Sequence, residues 1–254
     1  MPRHGTSIRF VKDFAGRVAV ITGGGGGIGR ALAHAFAKRG MKIVIADVEA
    51  GPLESTAREL REQRAEVTPV ILDVRDRDAM RKLAEDVFAK YGNAHVLCNN
   101  AGVGRGGFIH ELSLEDWDWV LDVNLRGVVY GIHHFLPRML EGGEPCHIVN
   151  TASLAGLVAN AGLGPYNATK YAVVAISETL AAECAGTHVG GIDTHHGKRT
   201  QRTAGPPIER PLSAQRGDGG GSQTARRGRH GPHPRGGANH CGHRKRVVVR
   251  PDAP

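Results

Sequence analysis

Tyr166 and Lys170 stand four residues apart in an Ala-rich stretch, Tyr166 to Cys184, that carries Val173, Val174, Ile176 and Leu180 at helical spacing. On a helix that separation puts a phenol and an ammonium on one face, one turn apart. A phenol with a pKa of about 10 is a poor base at neutral pH, but an adjacent ammonium stabilises the phenolate and lowers that pKa. The pair alone is commonplace on exposed helices. Ser153, 13 positions upstream of Tyr166 and just past an apolar strand pattern at His147 to Thr151, makes it far more specific. A phenol whose pKa is lowered in this way can exchange a proton near neutral pH.

A second constellation lies near the start of the chain. Val18-Ala19-Val20-Ile21-Thr22 is an apolar, β-branched run that ends in Gly23 to Gly27, then Ile28-Gly29, and a helical pattern with Ala31, Leu32, Ala35 and Phe36 follows at once. Strand, glycine turn and helix in that order let the backbone approach a ligand and aim free helix N–H groups at an anion. Met41 to Ala46 is a second apolar strand and ends at Asp47, an acid about 20 residues beyond the turn, as a dinucleotide site requires. A carboxylate there suits two ribose hydroxyls and repels a 2′-phosphate, and no Arg or Lys stands beside Asp47 in sequence, so NAD is expected over NADP.

The elements that position these residues alternate. A helix is expected over Pro52 to Ala65, a strand over Val67 to Leu72 closed by Asp73-Val74, and a helix over Asp76 to Tyr91 with Met80, Leu83, Ala84 and Val87 inward. A strand over Ala94 to Cys98 runs into Asn99-Asn100-Ala101-Gly102. Ser113 starts a helix that reaches Asn124, and a helical pattern continues to Leu140, with Pro137 expected to perturb its last turn. This order predicts an α/β fold, a doubly wound parallel sheet covered on both faces, with strand ends collected on one ligand-binding edge. Loops at Gly104 to Phe108 and Leu154 to Gly164 flank that edge; Val103, Phe108, Leu154, Leu157 and Leu163 suggest an apolar alcohol or ketone. His95 and the His133-His134 pair have no metal-ligand company and read as packing or surface residues.

These residues resemble the short-chain dehydrogenase/reductase family in its single-domain Rossmann form. The matching motifs are Thr22-Gly23 with Gly27-Ile28-Gly29, Asp73-Val74, Asn99-Asn100-Ala101-Gly102, Asn124, Ser153 and Tyr166 with Lys170, in the family's order over residues 14–185. The resemblance implies an NAD-dependent oxidoreductase that interconverts a secondary alcohol and a ketone. Tyr166 would be the general acid/base, Ser153 would orient the substrate oxygen, and Lys170 would lower the Tyr166 pKa and hold the nicotinamide ribose. Asn124 would position a water linking Lys170 to solvent. Cofactor contacts are implied at Thr22, Gly23, Gly27, Ile28, Gly29, Asp47, Asp73, Val74, Asn100, Ala101 and Gly102, besides Tyr166 and Lys170. It also implies a homo-oligomeric face on the Asn124 and Tyr166 helices, read here in Val128, Val129, Ile132, Phe135, Ala172, Val173, Ile176 and Leu180.

Residues 1–13 read as an extension and residues 186–254 as a tail. The tail holds 11 Arg and 2 Lys against 3 Asp and 1 Glu, so the chain's net charge of +8 belongs to it, and the body is close to neutral. A nucleic-acid partner is therefore not expected of the body. With 14 Gly, 7 Pro and 7 His and no aromatic residue except His, the tail shows no sustained period, and no sixth or seventh strand is legible. Three readings fit: a disordered extension, an RNA-binding Arg/Gly segment without the aromatics that stack on bases, or GC-rich coding read out of frame. The third predicts a marginally stable product, at most dimeric and not tetrameric, with weak turnover or a nucleotide-binding remnant without turnover. Cys98, Cys146, Cys184 and Cys241 lack CxxC spacing, so neither disulfides nor a zinc site are expected. No membrane span or secretory leader is read, and a cytoplasmic protein is expected.

Overall fold

The computed structural model describes Val11 and residues 13–194. Six parallel strands, β1 (Val18–Thr22), β2 (Lys42–Asp47), β3 (Val67–Ile71), β4 (Val96–Asn99), β5 (Cys146–Thr151) and β6 (Val189–Thr194), form one sheet in the order β3-β2-β1-β4-β5-β6. Between them lie α1 (Gly27–Ala37), α2 (Ala50–Glu62), α3 (Arg77–Tyr91), α4 (Leu114–Leu121), α5 (Gly127–Glu141) and α6 (Gly164–Glu183). The central strands read as unbroken apolar runs because both faces are covered. Val18, Val20, Val44 and Ala46 pack with α3, α5 and the end of α6, while Ala19, Ile21, Ile43 and Ile45 pack with α1 and α2. Pro69, unable to donate to a ladder, sits in β3, which among the described residues pairs with β2 alone, at the sheet edge.

Local signals account for the helix starts. Asp76 caps α3 by accepting from the Asp78 and Ala79 backbone N–H groups. Ser113 and Asp116 cap each other across the first turn of α4. Three details differ from the sequence reading. The helix through Asn124 is interrupted by a π-helical turn, Asp122–Arg126, where the Gly127 N–H bonds back to the Asp122 carbonyl. Pro137 does not disturb α5, which runs to Glu141; Pro137 is exposed while Phe135 and Met139 on either side of it are fully buried.

The third difference is β6. A sixth strand does follow Ala185, and it pairs in parallel with all six residues of β5, from Cys146 beside Val189 to Thr151 beside Thr194. The edge of β5 is therefore covered by a strand that the sequence reading did not find. The seventh strand and the remaining tail readings lie outside the described residues. The proposed oligomeric face also needs correction: Val128, Phe135, Val173 and Leu180 are buried in this chain's own core, leaving Val129 exposed and Ile132, Ala172 and Ile176 half-buried. Among the described residues no helix is long and apolar enough to cross a membrane, and no cluster of ligand-type side chains is arranged for a metal.

His95 is structural. Its Nδ1 accepts from the Val18 N–H at 3.1 Å, and its Nε2 lies 3.2 Å from a Glu144 carboxylate oxygen that also meets Arg17. Burial pushes its pKa down against the opposing pull of Glu144; burial likewise lowers His134 and His147. The unfolded chain takes up protons below about pH 6.5 that the folded chain refuses until its own lower pKa values. Stability should thus be complete above about pH 6.5 and fall as pH drops through the folded values. Urea midpoints measured from pH 7.5 to 5 should decline over this window, and less steeply in His95→Asn, whose amide oxygen can still accept from Val18.

Candidate active site

The C-terminal ends of β2, β1, β4 and β5 open into one cleft of about 940 Å³. Three strand spacings separate the β2 end from the β5 end, roughly 14 Å. Gly23, Gly27, Ile28, Asp47, Asp73, Val74, Asn100, Ala101 and Gly102 line this cleft together with Ser153, Tyr166 and Lys170. Residues far apart in sequence are thus brought to a single surface.

The glycine turn fits a diphosphate. Gly23 has φ +66°, and a side chain there would collide with the Ala101 backbone. Gly29 packs so closely on the Gly23 carbonyl that any Cβ would overlap it. By contrast, a Cβ at Gly26 or Gly27 meets nothing within 4 Å, and α1 has no side-chain cap, so its first N–H groups are available to an anion. Thr22 and Gly29 themselves do not line the cleft. The Thr22 hydroxyl is buried, accepting from the Asn100 and Ala101 N–H groups at 3.0 and 3.1 Å and lying 3.4 Å from the Cys98 carbonyl. It holds the β4 end against the turn.

At the β2 end, Asp47 is oriented by two backbone donors, Gly25 N–H at 2.9 Å and Glu49 N–H at 3.1 Å. Asp73 is engaged by Arg75, whose guanidinium reaches it at 2.6 and 2.9 Å; these hydrogen bonds hold its pKa low. Among the described residues, Arg75 and Lys170 are the Arg and Lys side chains of the cleft. Sequence reading missed Arg75, as it did Trp119 and Thr151, which also line it.

At the β5 end, the Lys170 ammonium donates to the Thr151 carbonyl at 2.8 Å and lies 5.6 Å from the centre of the Tyr166 ring. Burial pushes the Lys170 pKa down to about 8. Ser153 lies just past β5 in an extended conformation, where its hydroxyl accepts from the Ala155 N–H at 3.2 Å. Asn124 is wholly buried below the cleft: it accepts from the Val103 N–H at 2.7 Å and donates to the Val103 carbonyl at 2.9 Å and to Thr169 at 3.2 Å. Its side chain is thereby committed to protein groups. Of the five apolar loop residues read from the sequence, Val103 and Leu163 line the cleft; Phe108 and Leu154 are exposed and Leu157 half-buried, and these three do not line it.

A doubly wound sheet with an open glycine turn at β1 defines a nucleotide-binding Rossmann fold, and its cleft brings Ser153, Tyr166 and Lys170 together at the β5 end. The family description of the short chain dehydrogenases matches residues 17–198, and the chain belongs to that family. The match extends past Ala185, where the sequence reading ended it. The chain is 41% identical to the C alpha-dehydrogenase of Sphingobium sp. (strain NBRC 103272 / SYK-6) over 169 residues, 66% of this chain and 55% of that protein. To the 1-deoxy-11-beta-hydroxypentalenate dehydrogenase of Streptomyces arenae it is 38% identical over 211 residues, 82% of this chain and 74% of that one. It thus spans between about half and three quarters of these two curated relatives. A short-chain dehydrogenase/reductase from Burkholderia phymatum, solved in complex with NAD, superposes with a TM-score of 0.69 at 48% identity, covering 72% of this chain and 65% of the other.

Proposed function

We propose that the protein is an NAD-dependent oxidoreductase interconverting a secondary alcohol and a ketone. The observation that carries this reading is the convergence of Ser153, Tyr166 and Lys170 on the same cleft as Asp47 and the glycine turn. NAD, when bound, supplies the hydride acceptor. This chain's residues do the rest. Asp47 accepts from the adenosine ribose hydroxyls, the first N–H groups of α1 take the diphosphate, and Lys170 holds the nicotinamide ribose. Ser153 orients the substrate oxygen, and Tyr166 takes the alcohol proton in one direction and returns it in the other. Relatives that carry the name dehydrogenase and a neighbour solved with NAD support the reading. Val103 and Leu163 favour an apolar substrate. A dimer through the exposed parts of α5 and α6 fits the same family reading.

The reading is tested by following NADH absorbance with a panel of secondary alcohols, with NAD and NADP in parallel, in wild type and Asp47→Ala. Two hydrogen bonds to a charged acceptor, each about 1.5–3 kcal/mol, favour NAD at Asp47. Arg75 shares the cleft, but its guanidinium is held by Asp73. Wild type should therefore prefer NAD by about 100-fold or more in kcat/KM, and Asp47→Ala should lose most of that preference. Equal use of both cofactors by wild type would remove the role given to Asp47.

A further inference from the structure

Helix α6 buries four polar side chains, Asn167, Thr169, Lys170 and Ser177, an unusual load for a helix packed on a sheet. Each has a hydrogen-bond partner, as burial demands. Lys170 belongs to the site already described, and Ser177 ties α6 to β5 by accepting from Asn150, which in turn accepts from Asn99. Thr169 is different, because its hydroxyl links the turn of α6 that carries Tyr166 and Lys170 to Asn124. It donates to the carbonyl of Tyr166 at 2.8 Å and accepts from the side chain of Asn124 at 3.2 Å.

Asn124 sits inside the π-helical turn and grips the Val103 backbone through both its N–H and its carbonyl. A single chain of hydrogen bonds therefore runs from Val103 through Asn124 and Thr169 to Tyr166. It joins the loop after β4, the π-helical turn and the helix that carries the phenol and the ammonium. Gly102 lies between Asn124 and the ammonium of Lys170: a Cβ there would stand 3.4 Å from Asn124 Oδ1 and 3.7 Å from Lys170 Nζ. Among the described residues, the hydrogen bond to Thr169 is the one that ties the Asn124 side chain to α6.

We propose that Thr169 is a positioning residue, its hydroxyl fixing the height of α6 against the π-helical turn and so placing Tyr166 and Lys170 over the substrate oxygen. The proposal rests on the oxidoreductase reading above. It requires the hydroxyl and not merely the volume of the side chain, because both hydrogen bonds end on the oxygen. Loss of that oxygen would let α6 settle by a fraction of an ångström, enough to disturb proton transfer while the remote adenosine contacts at Asp47 persist.

The test compares Thr169→Val, which keeps shape and removes the hydroxyl, with Thr169→Ser, which keeps the hydroxyl. Activity is expressed per NADH-binding site so that misfolded protein is not counted. Thr169→Val should lose roughly 10- to 100-fold in kcat, with KM for NAD and the NADH Kd changed by less than about threefold. Its pH–rate profile should move, and the Val103 amide should exchange with solvent faster. Thr169→Ser should recover kcat to within about threefold of wild type and keep the Val103 amide protected. An unchanged kcat per site in Thr169→Val, or an equal loss in Thr169→Ser, would overturn the inference alone. An inactive wild type that still binds NADH would overturn the oxidoreductase reading and the inference with it.

Discussion

Tyr166→Phe should abolish turnover and leave nucleotide binding almost intact. The substitution removes one oxygen from a half-buried ring in the cleft wall and changes no apolar contact of α6. Positioned acid–base groups contribute about 10² to 10⁴ in rate, and among the described residues of the cleft the titratable side chains other than Tyr166 and Lys170 are Asp47, Glu49, Asp73 and Arg75, which close or follow β2 and β3. A fall in kcat of about 10³ or more is therefore expected. NADH should still bind with a Kd within about tenfold of wild type, the loss of at most one hydrogen bond. Stopped-flow reduction of NAD and fluorescence titration with NADH measure the two quantities on the same preparation. Turnover that survives the substitution would assign the proton transfer to another group.

Lys170→Met should remove activity and make the protein more stable. Lys170 is 4% exposed and its pKa is pushed down to about 8 by burial, while the reference Lys titrates near 10.5. Between those two values the unfolded chain carries a proton that the folded chain has released, so stability rises with pH across that window. Below pH 8 both states are charged and the folded state bears the full penalty, about 3 kcal/mol from the difference in pKa. Removing the ammonium also forfeits its hydrogen bond to the Thr151 carbonyl, about 1–1.5 kcal/mol, though that carbonyl borders the cleft and can meet water. Burial relief wins. At pH 7 the variant should gain about 1–2 kcal/mol, a rise in Tm of roughly 3–8 °C, and the advantage should vanish above about pH 10.5. Activity should fall at least about 100-fold at every pH. Thermal melts of both proteins at pH 7 and pH 10.5 decide it; a destabilised Lys170→Met at pH 7 would mean that the Thr151 bond outweighs the burial of charge.

Much of the fold was legible because its strands serve two cores at once. Val18 to Thr22 and Lys42 to Asp47 read as continuous apolar runs, and the glycine turn between the first of them and α1 was plain from composition. Asp47, Ser153, Tyr166 and Lys170 were readable from order and spacing. Strand β6 was not, since Val189-Gly190-Gly191-Ile192-Asp193-Thr194 has two glycines and only two apolar residues. It exists because β5 offers a full edge of backbone partners, which outweighs weak local preference. The π-helical turn has no signature of its own; tertiary bonds to Asn124 accompany it. Thr169 looked like any helical threonine, and the cleft position of Arg75 and Trp119 depends on how distant strands line up.

Thr22 also bears on how such a chain can change over time. Its buried hydroxyl gathers the Asn100 and Ala101 amides onto the end of β1, a seam between the portion that holds Asp47 and the portion that holds Ser153, Tyr166 and Lys170. On either side of that seam the supporting contacts are local: Asp47 leans on Gly25 and Glu49, and Lys170 leans on Thr151. Coenzyme choice and substrate choice can therefore drift or be redesigned separately, each in its own module, as long as the threonine between them stays in place.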